Sequence, residues 1–162
     1  MDCKTVMGPV AVPLYADDPA ATAIDFMREK RTGLVLVVER DGTFVGLLSG
    51  DRMMHFMIPS SVHMMKGKKR ASYLQESAEE LQARLDKLRG LSIRDLIDPN
   101  VSVAYEDTPF IDAMMLISNR QFVVPVLDRA RKLVGAISFF TLLHYLGAEQ
   151  ENAGADGEGG AG

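Results

Sequence analysis

This chain contains nearly the same sequence twice, and the duplication restricts its possible folds more than any other feature. Five residues of the first copy return 90 positions later (109 − 19 = 90): Pro9, Tyr15, Asp17, Pro19 and Ala23 recur as Pro99, Tyr105, Asp107, Pro109 and Ala113. Farther along, the spacing becomes 89 (135 − 46 = 89): Gly46, Ser49 and His55 match Gly135, Ser138 and His144. A unit of about fifty residues is too small to bury an adequate core alone. We therefore expect the two repeats to pack against each other around a pseudo-twofold axis.

Composition limits the class of protein. The 162 residues are 47% hydrophobic and 25% charged, which is typical of a globular domain. A net charge of −4 argues against general nucleic-acid binding, and no apolar run approaches the ~20 residues needed to span a bilayer. Cys3 is the only cysteine, which excludes an intramolecular disulfide and fits a reducing compartment. Without a visible secretory signal, the sequence predicts a cytoplasmic protein that does not insert into membranes.

Each repeat predicts the order strand, helix, strand, strand, helix. The first helix follows a capping residue and a proline, Asp18–Pro19 in repeat one and Thr108–Pro109 in repeat two. Runs of β-branched and apolar residues then predict buried strands that end at polar turns. The predicted strands are 10–12, 35–39 and 44–48 in repeat one and 124–128 and 133–137 in repeat two, with closing helices at 52–57 and 141–146.

The segment between the repeats is too long for a structureless loop in a compact domain, so we expect it to contain a helix. Ser72 and Gln75 have the spacing of a capping box. An apolar stripe with helical spacing follows, at Leu74, Ala78, Leu81, Leu85 and Leu88. This helix either packs on its own module or pairs with a second copy or a partner. The predicted boundaries are repeat one at 1–57, a helical connector at 58–92, repeat two at 93–147 and a disordered tail at 148–162.

Two strings in repeat two carry a family resemblance. VPVLD, at Val124–Asp128, precedes a turn, and VGAIS, at Val134–Ser138, follows it. Together with LVLVVERDGTFVGLLS in repeat one and the order of elements, they resemble the cystathionine-β-synthase (CBS) domain, whose tandem pair is called a Bateman module. The resemblance implies an α/β (α+β) fold of two CBS repeats with a helical insertion between them. Repeat one departs from it at Leu36, where the family usually has proline.

The resemblance also implies a ligand site. CBS domains hold adenosine derivatives in the cleft between repeats, with the base among apolar and backbone groups and the ribose on a Ser or Thr and an Asp. The implied base-slot positions are Ala11, Val12, Gly33, Leu34, Val35 and Leu36 in repeat one, and Val101, Ser102, Phe122, Val123, Val124 and Pro125 in repeat two. Ser49 and Ser138 would supply the ribose hydroxyl.

The ribose carboxylate is missing from both repeats. The family's Asp lies three residues after the Ser or Thr, and this chain has Arg52 and Thr141 there. Asp51 is one residue away, at a helix start next to Arg52, and is either a substitute ribose ligand or an ordinary first-turn acid. Phe139 and Phe140 follow Ser138 and indicate a repeat-two site that is degraded, or retuned to a more apolar ligand, or an interface. Repeat one is therefore the better candidate.

No nucleophile with a base, metal cluster or phosphate-binding loop has recognisable spacing, so the sequence predicts neither a catalytic nor a metal site and no enzyme. The first hypothesis is a stand-alone regulatory module that binds an adenine nucleotide or related adenosyl ligand and signals by a change of conformation or association. AMP, ADP, ATP and S-adenosylmethionine are the candidate ligands, and no cofactor is required. The alternative is a ligand-independent scaffold for dimerisation or protein interaction. Expected partners are a second copy, as a homodimer, and a regulated transporter, kinase or metabolic enzyme.

Overall fold

A computed structural model describes residues 1–10, 12–63, 74–118 and 121–157 of the chain. Its elements follow the predicted order within each repeat. The first part contains α1 (Cys3–Val6), β1 (Leu14–Tyr15), α2 (Ala20–Lys30), β2 (Leu34–Val38), β3 (Phe44–Ser49) and α3 (Gly50–Phe56). The connector contains α4 (Ser60–His63) and α5 (Ala78–Arg89). A short 3₁₀ turn (Ile93–Asp95) then leads to β4 (Ala104–Tyr105), α6 (Phe110–Leu116), β5 (Val124–Leu127), β6 (Leu133–Ile137) and α7 (Phe139–Gly157).

Two three-stranded sheets reproduce the duplication. Their strand orders are β1-β2-β3 and β4-β5-β6. In the first sheet β1 lies parallel to β2, with Leu14 opposite Val37, and in the second β4 lies parallel to β5, with Ala104 opposite Val126. The central strands are buried because both are short apolar runs, as the sequence predicts for strands covered on two faces.

The chain divides into two compact units that do not coincide with the sequence repeats. The repeat-one unit comprises Pro13–Arg40 and Val45–Pro99, and the repeat-two unit comprises Met1–Val12, Asp41–Phe44 and Asn100–Gly162. Each unit has its own core of fully buried aliphatic side chains, represented by Val37 and Leu48 in the first and by Val124 and Val126 in the second. The N-terminal segment therefore belongs to the core of the repeat-two unit, where Cys3 and Val6 are buried.

Matching backbone hydrogen bonds hold a leading segment on each unit. In the repeat-two unit, the N–H of Cys3 donates to the carbonyl of Thr108 at 2.9 Å. In the repeat-one unit, the N–H of Ile93 donates to the carbonyl of Asp18 at 3.0 Å. Both residues of the second pair lie 90 positions from their counterparts, so the segments 3–9 and 93–99 perform equivalent roles.

Glycines allow these segments to lie directly on the third strand of each sheet. A Cβ at Gly46 would lie 2.6 Å from the carbonyl oxygen of Asp98, and one at Gly135 would lie 3.0 Å from that of Gly8. The backbone of Asp98 lies this close to Gly46 because Asp98 and Leu47 form two backbone hydrogen bonds with each other, of 2.8 and 3.0 Å. The repeated glycine thus has a structural explanation.

The repeated acidic residue after the first strand is explained by an ion pair. Arg40 pairs with Asp17 at 3.1 Å and lies over the ring of Tyr15, 4.1 Å from its centroid. In repeat two, Arg129 pairs with Asp107 at 2.9 Å. Both pairs lie on the surface, and each one accounts for the repeated aspartate by a contact within its own unit.

The connector helix α5 packs on α2 within the repeat-one unit. Leu88 is buried there, and Arg89 forms an ion pair of 2.9 Å with Asp25, which lowers the pKa of that carboxyl. The helix begins at a capping box formed by Ser77 and Glu80. The predicted box used Ser72, which lies outside the described residues. The structure thus agrees with the expectation that the connector helix packs on its own module.

Three local predictions differ from the structure. The first strand was predicted at 10–12 but lies at Leu14–Tyr15, because these two residues are the ones that pair with β2, opposite Val37 and Val38. Both prolines, Pro19 and Pro109, are the N-caps of their helices and not the first helical residues. The closing helix α7 continues to Gly157, whereas composition predicted a disordered tail from 148. Ala, Glu and Gln after Leu146 are good helix formers, which explains the continuation; residues 158–162 lie outside the described part.

Candidate functional site

The repeat-one candidate site lies where the start of β2 meets the start of α3. The N–H of Gly50 donates to the carbonyl of Gly33 at 2.7 Å, which joins the two segments. Ser49 is the N-cap of α3, and its Oγ accepts a hydrogen bond from the N–H of Arg52 at 3.2 Å. Three residues predicted from the sequence, Gly33, Ser49 and Arg52, are therefore brought together.

Arg52 is a charged group available at this position. An N-cap residue and the third residue of the helix lie on the same side, so Arg52 extends from the side that carries Ser49. Arg52 is exposed, and within the described part of the chain no carboxylate lies within ion-pair distance of its guanidinium. Asp51 is exposed in the first turn, about 100° around the helix from Arg52. The site therefore presents a cation on the Ser49 side.

The apolar members of the repeat-one set divide by burial. Leu34 is half-buried, and Val35 and Leu36 are buried core residues. Their backbone and the edge of Leu34, not the full side chains of the buried pair, are the groups a ligand would meet. Val12 is 57% exposed, and Ala11 lies outside the described residues.

In repeat two, the residues of the predicted ribose grip bond to each other. The Oγ1 of Thr141 accepts from the N–H of Ser138 at 2.9 Å and donates to its carbonyl at 2.9 Å. The Oγ of Ser138 accepts in turn from the N–H of Thr141 at 3.3 Å. A Cβ on Gly8 would lie 2.7 Å from the Cγ2 of Thr141, so the N-terminal segment lies against this side chain. Thr141 is therefore half-buried, and its hydroxyl is already bonded to the backbone of Ser138 at the start of α7.

The repeat-two base slot also contains an internal contact. The side-chain amide of Gln121 bonds to the backbone of Ser102 and Val123. Phe122 is 62% exposed beside it. The remaining predicted members are half-buried Val101 and the fully buried pair Val124 and Pro125.

Sequence reasoning missed Gln121. The only available signal was a mismatch between the repeats, because the corresponding position in repeat one is Thr32 (121 − 32 = 89). A single glutamine before an apolar strand has no distinctive pattern. Its role becomes visible only when residues 102 and 121 are known to be neighbours.

A separate feature of the repeat-two unit is apolar exposure on two helices. The large exposed side chains on α6 and the first half of α7 are Ile111, Met114, Met115, Phe139, Phe140, Leu143 and Leu146. Met115 is 78% and Phe140 80% exposed. At the position that matches Met115, the repeat-one unit has Asp25, which is bound by Arg89 of the covering helix α5. The two units therefore differ in what their first helices present.

Comparison with known proteins identifies the repeats. The family model described as CBS domain matches residues 3–58 and 93–148. The carnitine transport ATP-binding protein OpuCA of Listeria monocytogenes is 25% identical over 139 residues, which are 85% of this chain and 28% of that protein. The chain thus spans little more than a quarter of the length of this curated relative. Among the described residues, no helix is long and apolar enough to cross a membrane.

Solved structures agree on the fold. The CBS-pair protein CBSX2 of Arabidopsis thaliana is similar with a TM-score of 0.68 at 19% identity, over 93% of this chain and 96% of that one. A structure of CBSX2 in complex with AMP gives a TM-score of 0.63 at 20% identity, over 93% and 98% of the two chains. A CBS domain-containing protein of unknown function from Kribbella flavida gives 0.67 at 23% identity, over 90% and 98%. The predicted two-repeat α/β fold is confirmed.

Proposed function

Because the chain belongs to the CBS-domain family and contains two copies of that domain, we propose that it is a regulatory module that binds an adenine nucleotide or a related adenosyl compound at repeat one. It acts by binding and not by catalysis. The AMP complex of the similar protein CBSX2 supports this ligand class.

The observation that carries the proposal is the arrangement of Gly33, Ser49 and Arg52. Ser49 offers a half-buried hydroxyl beside the loop that precedes β2. Arg52 offers a guanidinium that no described carboxylate neutralises, and charge-assisted bonds from arginine to phosphate are among the strongest polar contacts. Ser49 then contacts the ribose, Arg52 the phosphate, and the edge of β2 the base.

The regulatory output follows from differential binding. A ligand shifts a conformational equilibrium only by the difference between its affinities for the two states. We propose that the regulated partner is a separate protein, namely a transporter, a kinase or a metabolic enzyme. The curated relative, whose name is that of a transport ATP-binding protein, favours the first of these.

A thermal-shift series with AMP, ADP, ATP and S-adenosylmethionine tests ligand binding. A hundredfold excess over Kd stabilises the folded state by about 2.7 kcal/mol, which corresponds to roughly 5–10 °C for a chain of this size. If none of the four compounds raises Tm at millimolar concentration, the proposed function is refuted.

Two variants locate the site. Ser49→Ala lowers the affinity for AMP about tenfold because one hydrogen bond to ribose is lost. Arg52→Ala lowers the affinity for AMP and ATP by about tenfold or more, but not the affinity for adenosine, which has no phosphate. Ser77→Ala is the matched control, because it removes the cap of α5 in the same way and leaves the site intact. Equal losses in all three variants would contradict the assignment.

A second candidate function, association with another copy, is favoured by the exposed apolar side chains of α6 and α7. A twofold contact brings the same surface of both copies together, so exposed apolar side chains on these helices would meet apolar side chains of the second copy. We propose a homodimer through these helices. A monomeric mass at micromolar concentration, measured by light scattering, would contradict it.

A further inference from the structure

In repeat two, the side chain of Gln121 already bonds to the backbone groups that a bound base would use. The Oε1 of Gln121 accepts from the N–H of Ser102 at 3.0 Å. Its Nε2 donates to the carbonyl of Ser102 at 2.6 Å and to that of Val123 at 3.0 Å. The reversed amide would face a donor with a donor, so this orientation is the one that fits the three partners. Ser102 and Val123 are both positions of the implied base slot.

The contact resembles recognition of a planar base. A primary amide presents a donor and an acceptor side by side, and so does the edge of adenine, with its exocyclic amine and ring nitrogens. The backbone N–H and C=O of Ser102 form the complementary pair. Groups of this chemistry compete directly for the same two atoms.

Gln121 is held in place before any ligand arrives. Its backbone N–H donates to the carbonyl of Ser118 at 3.1 Å, and its carbonyl accepts from the N–H of Ser118 at 2.9 Å. The residue is half-buried. These two backbone bonds therefore anchor the residue from which the side chain reaches Ser102.

Repeat one lacks the equivalent contact. Thr32 occupies the matching position, and its hydroxyl bonds within its own loop, with the N–H and the carbonyl of Leu34 at 3.3 and 3.1 Å. The residue that matches Ser102 is Val12 (102 − 12 = 90). Across the described ranges, no hydrogen bond to the backbone of Val12 is formed.

From this difference we infer that Gln121 is an internal occupant that closes the repeat-two base slot, so that one chain binds a single adenine nucleotide, at repeat one. The inference rests on the proposed function. It adds the number of nucleotides bound per chain and the residue that determines that number. An adenine nucleotide that enters repeat two must displace three hydrogen bonds, which weakens its apparent affinity there by about 10- to 100-fold.

The test counts bound ligand with the full chain. Equilibrium dialysis with labelled AMP, and separately ATP, yields one equivalent for the wild type and two for Gln121→Ala. Gln82→Ala is the matched control, since the side-chain amide of this exposed glutamine bonds, among the described residues, only to Asp86 on its own helix, and it leaves the count at one.

A ligand-free readout accompanies the count. Hydrogen exchange of the Ser102 amide becomes about tenfold faster or more in Gln121→Ala, because its acceptor is gone. Gln121→Glu gives a second variant, since its carboxylate cannot donate to the carbonyls of Ser102 and Val123 and is repelled from the slot by both of them, and it also yields a second equivalent.

Two outcomes overturn the inference alone: two equivalents bound by the wild type, or one equivalent bound by both Gln121 variants although Ser102 exchanges faster. In both cases the proposed function stands. If neither the wild type nor any variant binds AMP or ATP, both the inference and the proposed function are overturned.

Discussion

Replacing Gly46 with alanine tests how the leading segment 93–99 is held on the repeat-one unit. The added Cβ would lie 2.6 Å from the carbonyl oxygen of Asp98, 3.2 Å from its carbonyl carbon and 3.3 Å from the Cδ1 of Ile97. Two of these three atoms are backbone, so a side-chain rotation does not relieve the clash. The segment must shift by roughly half an ångström or more, as overpacking of a dense interior requires.

The cost is estimated from the bonds that this shift strains. Overpacking costs about 1–3 kcal/mol, and weakening the two hydrogen bonds between Leu47 and Asp98 adds about 0.5–1.5 kcal/mol each. Alanine also reduces the conformational freedom of the unfolded chain, which offsets about 0.4–1 kcal/mol of this loss in stability. We expect Gly46→Ala to lower the free energy of unfolding by about 2–4 kcal/mol, or Tm by roughly 4–16 °C.

The matched glycine of repeat two provides the comparison. A Cβ at Gly135 meets the Sδ and Cγ of Met7 at 2.5 and 2.9 Å, where a flexible methionine side chain can move away, and it meets one backbone atom, the carbonyl oxygen of Gly8, at 3.0 Å. We expect Gly135→Ala to cost about 1–2 kcal/mol. Gly147→Ala, in α7 with nothing within 4 Å, is the control and stabilises by about 0.5–1 kcal/mol. Urea denaturation of the three variants ranks their free energies of unfolding. A Gly46→Ala variant as stable as Gly135→Ala would refute the reasoning.

Three further predictions concern other parts of the chain. Hydrogen bonds from Thr43 and an ion pair with Lys132 lower the pKa of Asp41 to about 2; this stabilisation is present above the ordinary pKa of 3.8 and lost as the pH falls toward 2, so in urea titrations Asp41→Asn should differ from wild type at pH 5 and converge with it at pH 2. Leu88→Ala, at a buried connector position, should cost about 2–4 kcal/mol in unfolding free energy, whereas the 41% exposed Leu81 changed to alanine should cost less than about 1 kcal/mol. Met115→Glu should convert the proposed homodimer to a monomer in light scattering without lowering Tm of the monomer, and an unchanged dimer mass would exclude α6 from the proposed interface.

The parts of the fold that follow from local chemistry could be predicted from the sequence. The VPVLD run is buried at every position of β5, as a doubly covered strand requires. Pro19 and Pro109 mark helix starts to within one residue because they cannot donate inside a helix. Ser49 was predicted as a hydroxyl at a strand end, and it lies at the N-cap of α3.

The rest depends on contacts between distant residues. The partners Gln121 and Ser102 are 19 positions apart, and nothing in either local pattern predicts that they bond. Thr141 matched Arg52 by position, but only the structure shows that its hydroxyl is used within its own helix cap. The prediction of a disordered tail from residue 148 differs from the structure because it used composition alone. It did not consider the helix propensity of the Ala, Glu and Gln residues after Leu146.

The leading segments also bear on how such a chain arose. Residues 3–9 open repeat one in the sequence but complete the repeat-two unit, whereas 93–99 open repeat two and complete the repeat-one unit. A gene encoding one repeat would therefore make a polypeptide whose own leading segment must be supplied to a second molecule. Two such molecules would exchange these segments and form an intertwined pair, and joining the two genes end to end would preserve every one of those hydrogen bonds. Because each unit is completed by a segment from the other repeat, neither half is expected to fold as a monomer when it is expressed alone.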